Sequence, residues 1–576
     1  MLPAGGPRVV AIATTFRVRM VPISTGYVRR VTIREMGLHP AVAERLARLA
    51  PDQRAAATAP SGPSLCIAPA GSGKTTTLVA RAAWLVATGI PAGSIRAITF
   101  NTRAARELTE RLDTALEPLG VAAGTVRVRT FHALGREILR DADVPVDPLV
   151  DRAQVLRDVA PWADEPTLAQ LDTFISRLKV GLGVGTDAVA ADPEAGPFAR
   201  AFVAYERAVA AQGGLDFDDL IVRALAALSA DPVLLARWRE RCAELLVDEV
   251  QDVDERQLEL ALMLAAPANR AFLVGDDDQS IYGWRLADVR RILGLADRLP
   301  GLRRVDLEVN YRCPVPVVER AVRLVEHNGE RFAKRIRAAP TAPGRLVLAP
   351  DPSDDAVSLA RVIATWPADD STRAILARTN RELLPAVAVA IQLGLPFRAA
   401  RLDLPLESGA VDRLLALADG AAHATDPSAL LALGRVRATL ADPADDPIVA
   451  ALLGWAVGLP SIEALRAAVW AARDRLARLR RDDATLTLAT AHATKGLEFD
   501  HVVVIGMEAG RFPSARAVSQ ADDPRRAYEE ERRLAYVAWT RARRSLTLSF
   551  DPSVPSPFLL EAFETSELGP ESRMAA

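Results

Sequence analysis

The chain has 576 residues, of which 50% are hydrophobic and 5% aromatic, and a formal charge of −2. That length exceeds what one core supports and predicts roughly three to four domains, while the near-zero charge excludes nucleic-acid binding by overall attraction and leaves it to a local patch. Three scattered cysteines (Cys66, Cys242, Cys313) exclude a disulfide framework and a zinc-type spacing; with no apolar run of roughly 20 residues and no charged start of a secretory signal, a cytoplasmic protein without a membrane partner is expected.

Residues 1–35 have arginines and short apolar runs without a period, and read as an N-terminal extension, disordered or preceding a true start at Met36. A helix is predicted over 40–49 and a strand over 65–68. That strand runs into Ala68-Pro-Ala-Gly-Ser-Gly-Lys-Thr75, and a helical pattern begins at Thr76. Small residues here let successive N–H groups face phosphate oxygens, Lys74 reaches the β/γ oxygens, and the Thr75 hydroxyl suits Mg²⁺. Further strands are predicted over 97–100, 245–248, 271–275 and 305–308, interrupted by a helical pattern over 131–214. A second series, 346–348, 374–377, 502–505 and 546–550, is interrupted by an alanine- and leucine-rich helical stretch over 406–483. Within it, 448–459 reads as a buried helix. Strands alternating with helices predict α/β domains with parallel sheets.

The chemistry lies at the strand ends. Leu246-Val-Asp-Glu-Val-Gln-Asp252 closes a strand with two carboxylates, one suited to a metal and one to activating water. Gly275-Asp-Asp-Asp-Gln-Ser-Ile-Tyr-Gly-Trp-Arg285 joins three carboxylates to Gln279, which could bond a γ-phosphate or its attacking water. It also offers the π-faces of Tyr282 and Trp284, which suit either base stacking or a hydrophobic core. Asn310-Tyr-Arg312 and Thr540-Arg-Ala542 supply arginines that are either surface ion-pair partners or cations completing a divided phosphate site. Of 71 basic residues only four are lysine (Lys74, Lys179, Lys334, Lys495). Because Lys74 sits where a compact ammonium fits better than a forked guanidinium, Lys495 is suspected of being a second site-bound lysine.

These segments, with Thr99-Phe-Asn-Thr-Arg-Ala-Ala105, Arg129-Thr-Phe-His132, Thr490-Ala-His-Ala-Thr-Lys-Gly-Leu-Glu-Phe499 and the run from Glu529 to Ala542, occur in a fixed order. The set resembles the UvrD/Rep/PcrA group of superfamily 1 DNA helicases over about 53–550. The resemblance implies an α/β fold of two RecA-like P-loop motor domains, each with a helical insertion. Motor domain 1 is expected over 36–130 and 213–314, its insertion over 131–212, motor domain 2 over 315–405 and 484–560, a reduced insertion over 406–483, and a tail over 561–576. It implies ATP and Mg²⁺ as cofactors, and 3′→5′ movement on single-stranded DNA or at single/double-strand junctions, in repair, replication or recombination, with a loading or repair protein as a further partner.

Carried over residue by residue, Gln53 resembles the adenine-reading glutamine, and Ala70, Gly71, Ser72, Gly73, Lys74, Thr75 and Thr76 the phosphate loop. Thr75 and Asp248 correspond to the metal-binding positions, Glu249 to the general base and Gln279 to the γ-phosphate sensor. Arg312 and Arg541 should approach that phosphate from the two sides of the cleft; Tyr311 should stack on adenine and Glu498 should bind ribose. Phe100, Tyr282 and Trp284 resemble the base-stacking set, with Asn101, Thr130, His132, Arg285 and His492 near the strand. For Lys495, a structural hydrogen bond and a ligand contact both stay open.

Two departures bear on function. Thr76 stands where many relatives place an arginine that packs on the base, so base discrimination should be weaker or lean on Gln53 and Tyr311. The short second insertion favours a DNA-dependent ATPase that translocates and strips proteins but unwinds poorly alone. A non-catalytic, nucleotide-gated DNA-binding module is the other alternative, against which the complete set of Lys74, Glu249, Gln279 and Arg541 speaks.

Overall fold

The computed structural model describes residues 37–182, 196–340, 342–400, 402, 404–421, 428–440 and 445–569. The expected extension 1–35 and the last seven residues of the expected tail, 570–576, lie outside them.

Short runs, mostly apolar in β1, β4 and β5 of the first sheet and mixed at its edges, make the strands of two parallel sheets. The first is built from β1 (Ser64–Ile67), β2 (Ile95–Thr99), β3 (Arg127–Thr130), β4 (Glu244–Val247), β5 (Ala271–Gly275) and β6 (Arg303–Asp306), in the order β3-β2-β4-β5-β1-β6. Strand side chains alternate between faces, so each face meets its own layer of helices. Leu65, Ile67, Leu245 and Leu273 join a core with helices Phe131–Asp141, Asp219–Ala230 and Glu255–Ala265; Cys66, Leu246, Phe272 and Val274 join the opposite core with Lys74–Ala87 and Thr102–Leu116. Burial on both faces explains why β1, β4 and β5 read as continuous apolar runs.

A two-residue pair, β7 (Val309–Asn310) with β8 (Arg337–Ala338), bridges to the second sheet. That sheet has β9 (Arg345–Pro350), β10 (Arg373–Ala377), β11 (Phe397–Arg398), β12 (Leu486–Thr490), β13 (Phe499–Val504) and β14 (Ala542–Phe550), in the order β11-β12-β10-β13-β14-β9. Helices Val315–Val325 and Pro524–Trp539 cover one face, and Asp355–Ile363 and Leu384–Leu393 the other.

Several expectations change. β3, Arg127-Val-Arg-Thr, escapes a search for apolar runs because it is an edge strand with only Val128 buried. β7, β8 and β11 are two residues long, and β12 follows a long helix with no glycine or proline between them. The helix Phe131–Asp141 packs Phe131, Leu134, Ile138 and Leu139 into the first sheet's core, so the insertion expected from 131 has its own core only from Val155 to Val209. At the other end, Ala562, Phe563 and Leu568 of the expected tail join the second sheet's core. The second insertion is a cluster of helices Gly409–Ala421, Ala429–Ala438, Asp446–Ala456 and Ile462–Leu479 around Leu414, Leu433, Leu452 and Leu465. The stretch 448–459 is not fully buried: Val449 and Leu452 face this core, whereas Trp455 and Val457 are exposed. No helix among the described residues is long and apolar enough to cross a membrane.

Candidate nucleotide and nucleic-acid site

The loops that carry the motifs leave the carboxyl ends of β1, β2, β3, β4 and β5, where open parallel sheets bind ligands. After β1 the chain turns through Gly71 and Gly73 at φ +67° and +84°, a left-handed conformation that glycine adopts without penalty. The turn is also tight: a Cβ at Gly71 would sit 2.5 Å from Asn310 Oδ1, and one at Gly73 would sit 2.6 Å from Gln53 Nε2. Gly73 leads into the helix Lys74–Ala87, whose free N–H groups favour an anion. Ala70 is buried in the core that joins the two halves. Gln53 braces the loop by donating to the Ser72 carbonyl at 2.8 Å. The Ser72 hydroxyl is buried without a protein partner and could donate to an anion held in the loop. Thr76 is exposed.

Two carboxylates follow β4. Lys74 Nζ lies 3.2 Å from Glu249, and Gln251 donates to Glu249 at 2.6 Å. Glu249 adopts φ +53°, rare for a residue with a side chain and costing on the order of 1–3 kcal/mol; such strain persists only where its surroundings enforce it. Burial and the neighbouring Glu249 push the Asp248 carboxyl up to about 7. Burial also acts to raise Glu249, but Lys74 and Lys495 outweigh it and hold Glu249 down at about 2. A buried carboxylate pair with an ionised base and a partner in need of a cation suits Mg²⁺. Among the described residues no three His, Cys, Asp or Glu side chains could cage a metal, so Thr75 and Asp248 would hold an ion taking its remaining oxygens from phosphate and water.

The second half supplies the cations. Arg541 is buried; it donates to the carbonyls of Val537 at 2.8 Å and Leu497 at 3.0 Å, and to Gln279 Oε1 at 3.4 Å. Burial and the adjacent Arg312 press its pKa down to about 9; an anion between them would relieve both. Arg312 donates to Glu498 at 2.6 Å and to the Thr540 carbonyl at 3.3 Å. Tyr311, with its N–H on the Gly71 carbonyl at 2.9 Å, presents an exposed ring at the loop mouth. Of the two roles open for Lys495, the structural tie between the halves is present: its ammonium donates to Asp252 at 2.7 Å and to the Gln279 carbonyl.

The three carboxylates after β5 are not a metal site. Lys334 lies 2.8, 2.5 and 2.8 Å from Asp276, Asp277 and Asp278, and Arg331 pairs with Asp278 at 2.9 Å. No local pattern announces this cage, since its cations lie more than 50 residues downstream. Gln279 Nε2 donates to Asp276 at 2.6 Å, which orients its amide oxygen toward Arg541.

A row of rings begins only a few residues beyond Gln279. Phe100 stacks on Tyr282 with centroids 4.9 Å apart, and Tyr282 meets Trp284 edge-on at 6.2 Å. Trp284 is 54% exposed, so it is not a core residue, and Arg285 lies over its face at 4.6 Å. Glu530 of the helix Pro524–Trp539 accepts the Gly283 N–H at 2.9 Å and so ties this turn to the helix that ends two residues before Arg541. Asn101 and Thr130 spend their side-chain oxygens as helix caps, on the N–H groups of Ala104 and Ala133. His132 stacks at 4.0 Å on Phe217, an exposed ring absent from the residues expected at the site; an apolar residue flanked by aspartates in Leu215-Asp-Phe-Asp-Asp219 is its only signal in the sequence.

Burial lowers His132 to about 4, with Asp218 opposing and Arg285 assisting, and burial with Arg378 and Lys495 lowers His492 to about 3. Both rings are neutral at pH 7. Neutral groups release no counterions, so His132→Gln and His492→Gln should leave the salt slope of single-strand binding unchanged; a slope reduced by about one would show a charged imidazole.

Comparison with known proteins places these features in context. Residues 49–300 match the UvrD/REP helicase N-terminal domain and residues 471–553 the UvrD-like helicase C-terminal domain. The chain is 28% identical to DNA helicase II of Escherichia coli (strain K12), covering 86% of this chain and 84% of that protein. It is 32% identical to the ATP-dependent DNA helicase UvrD2 of Mycobacterium tuberculosis (strain ATCC 25618 / H37Rv), covering 88% and 79%. To the ATP-dependent DNA helicase Rep of Escherichia coli (strain K12) it is 34% identical over 50% of this chain and 45% of that protein.

Proposed function

Because the chain belongs to the UvrD/Rep family and is an ATP-dependent DNA helicase of that class, we propose that it is a 3′→5′ motor on single-stranded DNA. Its motor domains are assigned to 36–141 with 213–314 and to 315–405 with 484–568, the helix Phe131–Asp141 and the segment 561–568 belonging with the sheets whose cores they join. ATP lies between them, with Gln53 and Tyr311 at the base, Glu498 at the ribose, and Lys74, Gln279, Arg312 and Arg541 around the γ-phosphate. Mg²⁺, held through Thr75 and Asp248, supplies charge neutralisation of the phosphates. Glu249, kept ionised by Lys74 and Lys495, takes the proton of the attacking water.

One observation carries this reading: the hydrogen bond from Arg541 to Gln279 joins the halves at the phosphate end, and Gln279 lies three residues before Tyr282. Closure around a γ-phosphate therefore moves the ring row, and two-state closure converts differential ATP affinity into stepping. Stacking tolerates any base, so sequence preference should be small. Trp284→Ala should raise the DNA concentration that half-stimulates ATPase and slow translocation, while KM for ATP holds. Unchanged stimulation would remove Trp284 from the DNA path. Polarity is read by comparing streptavidin displacement from the 3′ and 5′ ends of an oligonucleotide; displacement from the 3′ end alone would overturn the assigned direction.

A second reading is favoured by the second insertion, whose arginines are largely engaged in ion pairs with its own carboxylates, Arg413 with Asp445, Arg437 with Asp446, Arg473 with Asp412 and Arg478 with Asp474, rather than presented as a basic surface for duplex. Translocation with weak unwinding is then expected from the protein alone, with a loading or repair partner supplying strand separation. Efficient, processive unwinding of a 3′-tailed duplex by the purified protein would sink it. Cytoplasmic location and a role in repair, replication or recombination follow from the same proposal.

A further inference from the structure

All four lysines end among carboxylates. Lys74 meets Glu249, Lys334 meets Asp276, Asp277 and Asp278, and Lys495 meets Asp252. Lys179 lies apart from these, in a π-helical turn, Arg177–Leu182, of the first insertion. Its ammonium is 3.0 Å from Glu206 and 2.9 Å from both Asp216 and Asp219. A compact ammonium with three donors fits converging carboxylates in a way that a planar guanidinium cannot.

The cage closes on the turn that carries Phe217. Asp216 and Asp219 accept each other's backbone N–H groups at 2.9 and 3.0 Å, and the Tyr205 hydroxyl donates to Asp216 at 2.7 Å. Arg152 pairs with Asp218 at 2.5 Å, and Ser176 donates to the same carboxylate at 2.6 Å. On the other side Leu215 is packed in the first sheet's core. The buried flanks leave Phe217, 54% exposed, fixed against His132.

We propose that Lys179 is a positioning residue: its cage locks the Asp216–Asp219 turn between insertion and sheet, so that Phe217 is held in place to stack on single-stranded DNA. This rests on the proposed DNA path. A ring on an unlocked turn would have to be ordered on binding, at an entropic cost; a ring already ordered does not.

The test uses the full chain and oligo(dT), with Phe217→Ala, Lys179→Met and the double variant. Each single variant should raise the half-stimulating oligo(dT) concentration about 10-fold, and the double variant should be no worse than Phe217→Ala, because both remove one function. Multiplying effects would overturn the proposal, as would a Lys179→Met protein with lowered Tm but unchanged half-stimulation. An unaffected Phe217→Ala would overturn it too, by leaving no ring to position. Absence of any stimulation in the unaltered protein would instead overturn the underlying motor reading. If Lys179→Met does not fold, Tyr205→Phe, which removes one bond to Asp216, takes its place in the same cycle.

Discussion

Glu249→Gln should bind ATP normally and lose turnover by a factor on the order of 10² to 10⁴, the usual contribution of a positioned base. The amide keeps the shape that Gln251 contacts and loses only the ionised oxygen that Lys74 and Lys495 hold far below the ordinary carboxylate range. Lys74→Ala should differ in kind. It removes the cation from the phosphate loop, so ATP binding itself should be lost, and Glu249 should lose the first of the charges that keep it ionised. Fluorescent-nucleotide binding and single-strand-stimulated ATPase, measured together, separate the two. Near-normal ATPase in Glu249→Gln would refute the base assignment.

Arg541→Ala should lower kcat by on the order of 10³, as for a transition-state cation delivered from a second domain. Its guanidinium is held by the Val537 and Leu497 carbonyls with one edge toward Gln279, an orientation fixed before any phosphate arrives. DNA affinity should change little, because the ring row stands on other residues. Loss of thermal stability with only modest kinetic loss would mean that Arg541 serves the core instead.

What the sequence alone determined is chemistry carried by consecutive residues. A glycine turn, a lysine and a helix start make a phosphate loop wherever they fold, since the backbone N–H groups that face the anion belong to the same few residues. The carboxylate pair after β4 and the alternation of strands and helices were legible for the same local reason. Only the tertiary structure decided which charges neutralise one another. Asp276, Asp277 and Asp278 are only three adjacent carboxylates in the sequence, and the structure closes Lys334 and Arg331 on them. Lys495 became a tie across the halves only once Asp252 met it, and Phe217 became a candidate DNA contact only once His132 lay against it. The same holds for the helix Phe131–Asp141, whose amphipathic pattern names an apolar face but not the sheet that covers it. Burying a charge demands a partner, and where that partner lies far along the chain, no local pattern identifies it.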